Sequence, residues 1–136
     1  LIGLGVTSIG RVGDAYIQNY KELDEYEKAI SAGCLPVYKG VELDEDDKLR
    51  RAVITQLICH FDLTFSDIER EFGIVFADYF SAELQHLQVM QEDGLLKQDT
   101  AGIHVQPVGR LLIRNICMVF DKYLAQKQQQ QFSKVI

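Results

Sequence analysis

The side chains able to do chemistry are few and widely spaced. Cys59 and His60 are adjacent, a pairing that serves elsewhere as nucleophile and base or as two metal ligands. Neighbours on a helix point about 100° apart, so these two cannot share one small site. They read as structure, with Cys59 in or near the core and His60 at its edge. His86 and His104 fall on different expected elements and match no zinc spacing. The acidic run of Glu42 and Asp44 to Asp47 has the oxygens to hold a cation, yet a helix N-terminus accounts for it without one. Arg110, Arg114 and Asn115 form the polar side of the last expected helix. They can reach an acidic substrate, although a solvated face is the simpler reading. Glycines 3, 5, 10 and 13 punctuate an apolar stretch, and a strand end followed by such a loop is where α/β proteins place ligands. The spacing is neither GxGxxG nor a P-loop, so a glycine-rich turn without a ligand is the simpler reading. Residue types and spacing alone assign no catalytic residue and no metal site.

The elements that position these groups follow from hydrophobic period. Residues 44–61 carry the longest clean helical signal before the C-terminus: Leu49, Val53 and Leu57 recur at i, i+4 and i+8, with Ile54, Ile58 and Phe61 beside them. Asp44 is the expected N-cap, Glu45 to Asp47 place negative charge on the positive end of the helix dipole, and Leu43 is placed to staple the first turn. Upstream, Ile2, Leu4 and Val6 alternate with small residues and predict a strand that leaves through the glycine-rich loop. Residues 19–33 predict a short helix capped by Asn19, with Glu22 at the capping-box position and Gly33 as its stop. Pro36 and the run 37–41 then predict an extended connector. Downstream, helices are expected at 65–72, closed by Gly73, and at 76–93, followed by Gly94. Leu95 to Asp99 and Ile103 to Gln106 predict a hairpin, with Gly102 at a positive-φ position. A last helix runs from Val108 to about Gln126. The glutamines 128–131 form a low-complexity run, after which Phe132, Val135 and Ile136 are available to dock the terminus. The expected fold is mainly α with a small β-hairpin, and helix, helix, helix, hairpin, helix is the order of a winged-helix domain.

Charge removes the usual function of that order. The net charge of −6 disfavours nucleic acid and anionic membrane as partners. The would-be recognition helix has no Lys or Arg from Ile74 to Leu96, while Asp78, Glu83, Glu92 and Asp93 are acidic. No apolar run is long enough to span a bilayer and no signal peptide is visible. The three cysteines, Cys34, Cys59 and Cys117, are odd in number and form no CxxC pair, which reads as buried thiols in a reducing cytoplasm. Leu1 is not a Met and starts inside what reads as a strand, so a fragment of a longer protein is expected.

Five blocks in order carry a resemblance: LIGLGVTSIGRVG at residues 1–13, ELDEDDKLRRAVITQLICHF at 42–61, FADYF at 76–80, GRLLIRNICMVFD at 109–121 and QFSKVI at 131–136. Together they resemble the C-terminal part of the bacterial oxygen-independent coproporphyrinogen III oxidases, over essentially the whole chain. The resemblance implies a missing N-terminal radical S-adenosylmethionine barrel whose cysteine motif holds a [4Fe-4S] cluster. It also implies an oxidoreductase that converts two propionates of coproporphyrinogen III to vinyl groups, giving protoporphyrinogen IX in haem biosynthesis. S-adenosylmethionine would be cleaved to a 5′-deoxyadenosyl radical that takes hydrogen from the propionate. No cluster ligand is expected in this chain, which alone would be inactive. Of two bound S-adenosylmethionines, the second is implied to contact Ile9. Residues 1–36 would be the end of the barrel, 37–43 a connector, 44–127 a winged-helix-like domain covering the barrel, and 128–136 a tail. By their sign and position alone, and not by the resemblance, Arg110 or Arg114 is a further candidate to hold substrate carboxylates. Two other readings remain open, a radical S-adenosylmethionine haem chaperone of similar architecture and a free-standing winged-helix interaction module.

Overall fold

The structure, a computed structural model, describes residues 1–124. The glutamine run and Phe132, Val135 and Ile136 therefore lie outside the described residues. The chain divides into two compact units, Leu1–Asp47 and the part from Lys48 onward.

The first unit is built on β1 (Ile9–Val12), β2 (Ala15–Asn19), α1 (Leu23–Ser31) and β3 (Val37–Glu42). The strands form an antiparallel sheet in the order β1-β2-β3. Gly13, at φ +58°, makes the turn between the first two strands. Residues 2–6, expected as a strand, are irregular instead, because Gly5 at φ +92° and Thr7 at φ +60° turn the chain back. The alternation of Ile2, Leu4 and Val6 resembles a strand's, but Gly3 and Gly5 give the second face no side chains to pack. Asn19 is not a helix cap. It ends β2 buried, and its side-chain amide donates to the carbonyls of Gly3 at 3.1 Å and Gly5 at 2.9 Å, which ties down the glycine-rich loop. The helix begins only after Glu22 and ends at Ser31, and Gly33 just beyond its cap turns the chain away at φ +72°, which suits a residue without Cβ. Residues 37–43, expected as an extended connector, contain β3, which pairs along β2.

The helix α2 (Glu45–His60) starts with a reciprocal cap. The Asp47 backbone N–H donates to Asp44 Oδ1 at 2.7 Å, and the Asp44 N–H donates to Asp47 Oδ2 at 3.1 Å. As its period predicts, Leu49, Val53 and Leu57 are buried at 3%, 0% and 0% exposure. Ile58 lies off that stripe and is exposed.

From Lys48 onward the core of the second unit is assembled on α2. Phe61, at φ +59°, turns the chain into β4 (Asp62–Thr64), a strand too short to show a period in sequence. Next come α3 (Phe65–Phe72), closed by Gly73 at φ +68°, then α4 (Phe76–Tyr79) and α5 (Ser81–Glu92). The expected helix over 76–93 is thus two, broken at Phe80. No Gly or Pro marks the break. Phe80 is fully buried and packs its ring on Phe76, 4.7 Å between centroids, and edge-on to Phe120 at 5.4 Å, so tertiary packing overrides local propensity. Arg50 reaches the same cluster, lying over Phe80 while bonding Glu83 at 2.8 Å and the Phe120 carbonyl at 3.1 Å.

The hairpin is β5 (Leu96–Gln98) and β6 (Gly102–Val105), and β4 adds to it in the order β4-β6-β5. The expected hairpin is therefore a three-stranded antiparallel sheet, and the chain is mixed α/β. Gly102 does not take positive φ. It is required for space, since a Cβ there would overlap the Leu63 carbonyl oxygen across the sheet. The turn is held by Asp99 instead, whose Oδ1 accepts the N–H groups of Ala101 at 2.7 Å and Gly102 at 3.0 Å. The last expected helix is also divided, into α6 (Pro107–Leu111) and α7 (Ile113–Met118), with the junction at Leu112. Gly109 packs against the Leu95 carbonyl, where any Cβ would overlap the oxygen.

Candidate functional site

Ile9 opens β1 with 62% of its surface exposed. It lines a shallow depression of about 210 Å³ with Tyr16, Gln18, Lys39, Gly40 and Val41, a largely apolar surface on the first unit. The loop before Ile9 is fixed from both sides. Besides the two bonds from Asn19, the Gly5 N–H donates to the Tyr26 hydroxyl at 3.1 Å. Gly10 leaves room for the returning backbone, because a Cβ would stand 3.0 Å from Gly3 N and 3.2 Å from Leu1 O. Gly3 and Gly10 are thus explained by backbone packing and Gly5 and Gly13 by positive φ, and Ile9 is presented at the start of β1.

The sulfur chemistry is dispersed. Cys34 and Cys59 are exposed and only Cys117 is buried, which corrects the expectation of three buried thiols and of Cys59 near the core. Cys59 lies outside the buried stripe of α2, two positions past Leu57, and faces solvent. Cys117 donates weakly to the Ile54 carbonyl at 3.9 Å, and burial pushes its thiol up to about 11. That holds it neutral at physiological pH and unsuited to bind metal as a thiolate. Asp44, Asp46 and Asp47 bring carboxylate oxygens within 4.8 Å of one another, but Asp44 and Asp47 are already engaged in capping α2. Arg110 and Arg114 are exposed on the second unit. Arg110 lies over the Phe61 ring, 4.9 Å from its centroid.

One arrangement escaped the sequence reading. His104 Nδ1 stands 2.5 Å from Asp62 Oδ2, and its Nε2 lies 3.8 Å from Asp99 Oδ2. The pairing of β4 with β6 sets Asp62 opposite His104, and Lys97 on β5 faces it from the other side. Hydrogen bonds from Ala101 and Gly102, with the nearby imidazole adding to them, hold the Asp99 carboxyl below its ordinary value. The alternation of β6 marks His104 as outward-facing, but without β4 it had no visible partner. The Asp62, Asp99 and His104 side chains are about half exposed, and among the described residues no thiol or hydroxyl is hydrogen-bonded to them. The cluster therefore serves as a clasp across the sheet.

Comparison with known proteins decides the family. Residues 43–112, just over half of the chain, match the HemN C-terminal domain. The chain belongs to the HemN C-terminal domain family. It is 47% identical over 136 residues to the oxygen-independent coproporphyrinogen III oxidase of Pseudomonas aeruginosa, covering 100% of this chain and 30% of that protein. It is likewise 47% identical over 137 residues to the oxidase of the same name from Escherichia coli, again covering 100% of this chain and 30% of that protein. A solved structure, described as coproporphyrinogen III oxidase (HemN) from Escherichia coli, a radical SAM enzyme, superposes with a TM-score of 0.84 and 46% identity. The superposition covers 90% of this chain and 28% of that one. The chain spans about 30% of the length of the curated relatives it matches. Among the described residues, no helix of this HemN-family chain is long and apolar enough to cross a membrane.

Proposed function

We propose that this chain is the C-terminal part of an oxygen-independent coproporphyrinogen III oxidase, which decarboxylates two propionates of coproporphyrinogen III to vinyl groups and yields protoporphyrinogen IX for haem. The observation that carries the reading is the match along the whole chain to proteins of that name. A [4Fe-4S] cluster and S-adenosylmethionine would supply the one-electron chemistry. The cysteines here do not fit the cluster. Cys34 and Cys59 are exposed on different units, and Cys117 is buried and held as a neutral thiol. Its ligands would belong to an N-terminal barrel in the rest of the protein. Ile9 does fit a second S-adenosylmethionine, because it offers an exposed apolar side chain at the edge of a shallow depression on a fixed strand. Its part would be to orient that ligand by packing.

In the same reading, residues 1–36 complete the barrel's end, 37–43 lead out of it and 44–127, described as far as residue 124, form a winged-helix-like domain, while 128–136 lie outside the described residues. Support for the winged-helix description comes from the element order and from the sheet order β4-β6-β5, in which the strand after the first helix pairs with the second strand of the hairpin. Such a domain would cover the barrel's open side and keep solvent from the reacting propionate. The enzyme would work in the cytoplasm, without nucleic acid or membrane as partner.

The test is anaerobic turnover of the full-length protein with coproporphyrinogen III, S-adenosylmethionine and a reductant. Two carbon dioxide molecules per protoporphyrinogen IX formed are expected, and Ile9→Asp should weaken S-adenosylmethionine binding while leaving iron content unchanged. Haem binding without decarboxylation would assign the protein to the chaperones instead.

A further inference from the structure

We propose that the exposed face of the β1-β2-β3 sheet seats a propionate of the macrocyclic substrate, with Lys39 as the group that pairs with the carboxylate. The inference rests on reading the chain as part of a coproporphyrinogen oxidase. Directly opposed residues share one face of an antiparallel sheet. Ile9, Gln18 and Lys39 therefore form one row, and Arg11, Tyr16 and Val41 the next row on the same face. Ile9, Tyr16 and Val41 are 62%, 38% and 53% exposed, an apolar surface that nothing in this unit covers.

The charges on that face are of one sign. In a chain of net charge −6, both charged side chains in the two rows are cations, Arg11 and Lys39, while Glu42 is in register with Ala15 on the opposite face. Arg11 turns its Nε to the Gly13 carbonyl at 3.1 Å. Lys39 is left with its ammonium group free of any hydrogen bond or ion pair to the described residues.

Charge then separates the two ligands of the reaction. S-adenosylmethionine carries a sulfonium, an ammonium and one carboxylate at neutral pH, so its net charge is positive and it gains less from Lys39 than a polycarboxylate does. Coproporphyrinogen carries four carboxylates on an apolar ring and matches an apolar floor rimmed by cations. Two strand spacings of about 4.8 Å put Lys39 roughly 10 Å across the sheet from Ile9. S-adenosylmethionine at the β1 edge and a propionate at the β3 edge can thus occupy the same row side by side. Tyr16 and Gln18 lie between the two positions. Lys39 is a binding residue in this account, and it takes no part in bond breaking.

The test uses the full-length, cluster-loaded enzyme, titrated anaerobically with coproporphyrin III, the fluorescent oxidised form of the substrate. Lys39→Gln should weaken coproporphyrin binding about fivefold or more, and Lys39→Arg should restore it to within about twofold. S-adenosylmethionine affinity should be the same in all three proteins, and the coproporphyrin difference should shrink at high salt. In the cluster-loaded enzyme, Lys39→Gln should raise KM for coproporphyrinogen with kcat retained. Equal coproporphyrin affinity in the wild type and Lys39→Gln overturns the inference, as does a loss that falls equally on S-adenosylmethionine. A wild-type enzyme that fails to decarboxylate overturns the assigned function instead, and the same turnover assay reads that outcome separately.

Discussion

From Lys48 onward, Val53, Leu57, Ile68, Phe76, Phe80 and Phe120 are sealed from solvent, whereas in Leu1–Asp47 no Leu, Ile, Val or Tyr is buried, and Leu1, Ile2, Leu4 and Leu35 are 92%, 67%, 85% and 77% exposed. The second unit has the apolar interior of a domain able to stabilise itself. The first is held mainly by backbone hydrogen bonds along its sheet and by the side chain of Asn19. A three-stranded sheet with so little buried apolar area is marginal in water. Its exposed apolar residues suit the proposal that the rest of a larger protein packs against them. The difference also separates two kinds of work. The unit with the core supplies rigidity, and the unit without one presents the candidate ligand-contacting residues.

The comparison breaks first if substitutions cost the same in both units. Phe76, fully buried and stacked on Phe65 with 4.2 Å between ring centroids, should lose about 3–5 kcal/mol on Phe76→Ala. Tyr16→Ala, on the open sheet face, should stay within about 0.5 kcal/mol. Denaturant unfolding of the chain reads both, and a large loss at Tyr16 would show an interior in the first unit. Glycine substitutions sharpen the contrast at a smaller scale. Gly109→Ala drives a methyl into the Leu95 carbonyl and should cost roughly 3 kcal/mol. Gly13→Ala meets nothing within 4 Å and strains only a φ of +58°, which should cost about 1–2 kcal/mol.

The smallest effect is the pH response of the β5–β6 turn. The Asp99 carboxyl sits below its ordinary value of 3.8 because it accepts two backbone N–H groups. A depressed carboxyl stabilises the fold above its unfolded value, and the contribution is lost as pH falls through the folded value. The stability difference between wild type and Asp99→Asn should therefore be constant at neutral pH and close below pH 3.8. A difference that widens in acid would mean that the carboxylate is not the favoured form in the turn.

These elements also mark what the sequence makes legible. The stripe of Leu49, Val53 and Leu57, the stop at Gly73 and the two strands of the hairpin over residues 96–105 are where period and the glycine stop place them, although Gly102 is needed for space and not for positive φ. The reciprocal cap of α2 is half legible, since the sequence marks Asp44 as an N-cap but Asp47 only as charge on the helix dipole. The three residues of β4 are too short to show a period, and with them went the Asp62–His104 pair. Phe80 and Leu112 end helices through packing, with no Gly or Pro to announce it. The misplaced first strand has a different cause. Ile2, Leu4 and Val6 alternate as a strand does, and only the positive φ of Gly5 and Thr7 shows that the backbone turns. Ile9 entered through resemblance alone, because an isolated isoleucine carries no chemical signature. Its neighbours Tyr16 and Lys39 became visible only when the register aligned them.

Amide hydrogen exchange, measured on the full-length protein and on this chain alone, tests most directly whether the first unit is completed by the rest of the protein. The account predicts that amides of β1, β2 and β3 exchange much faster in the chain alone, while those of α2, α5 and β6 are equally protected in both. Equal protection of β1, β2 and β3 in the two samples would contradict it, because the sheet would then need no partner to be stable.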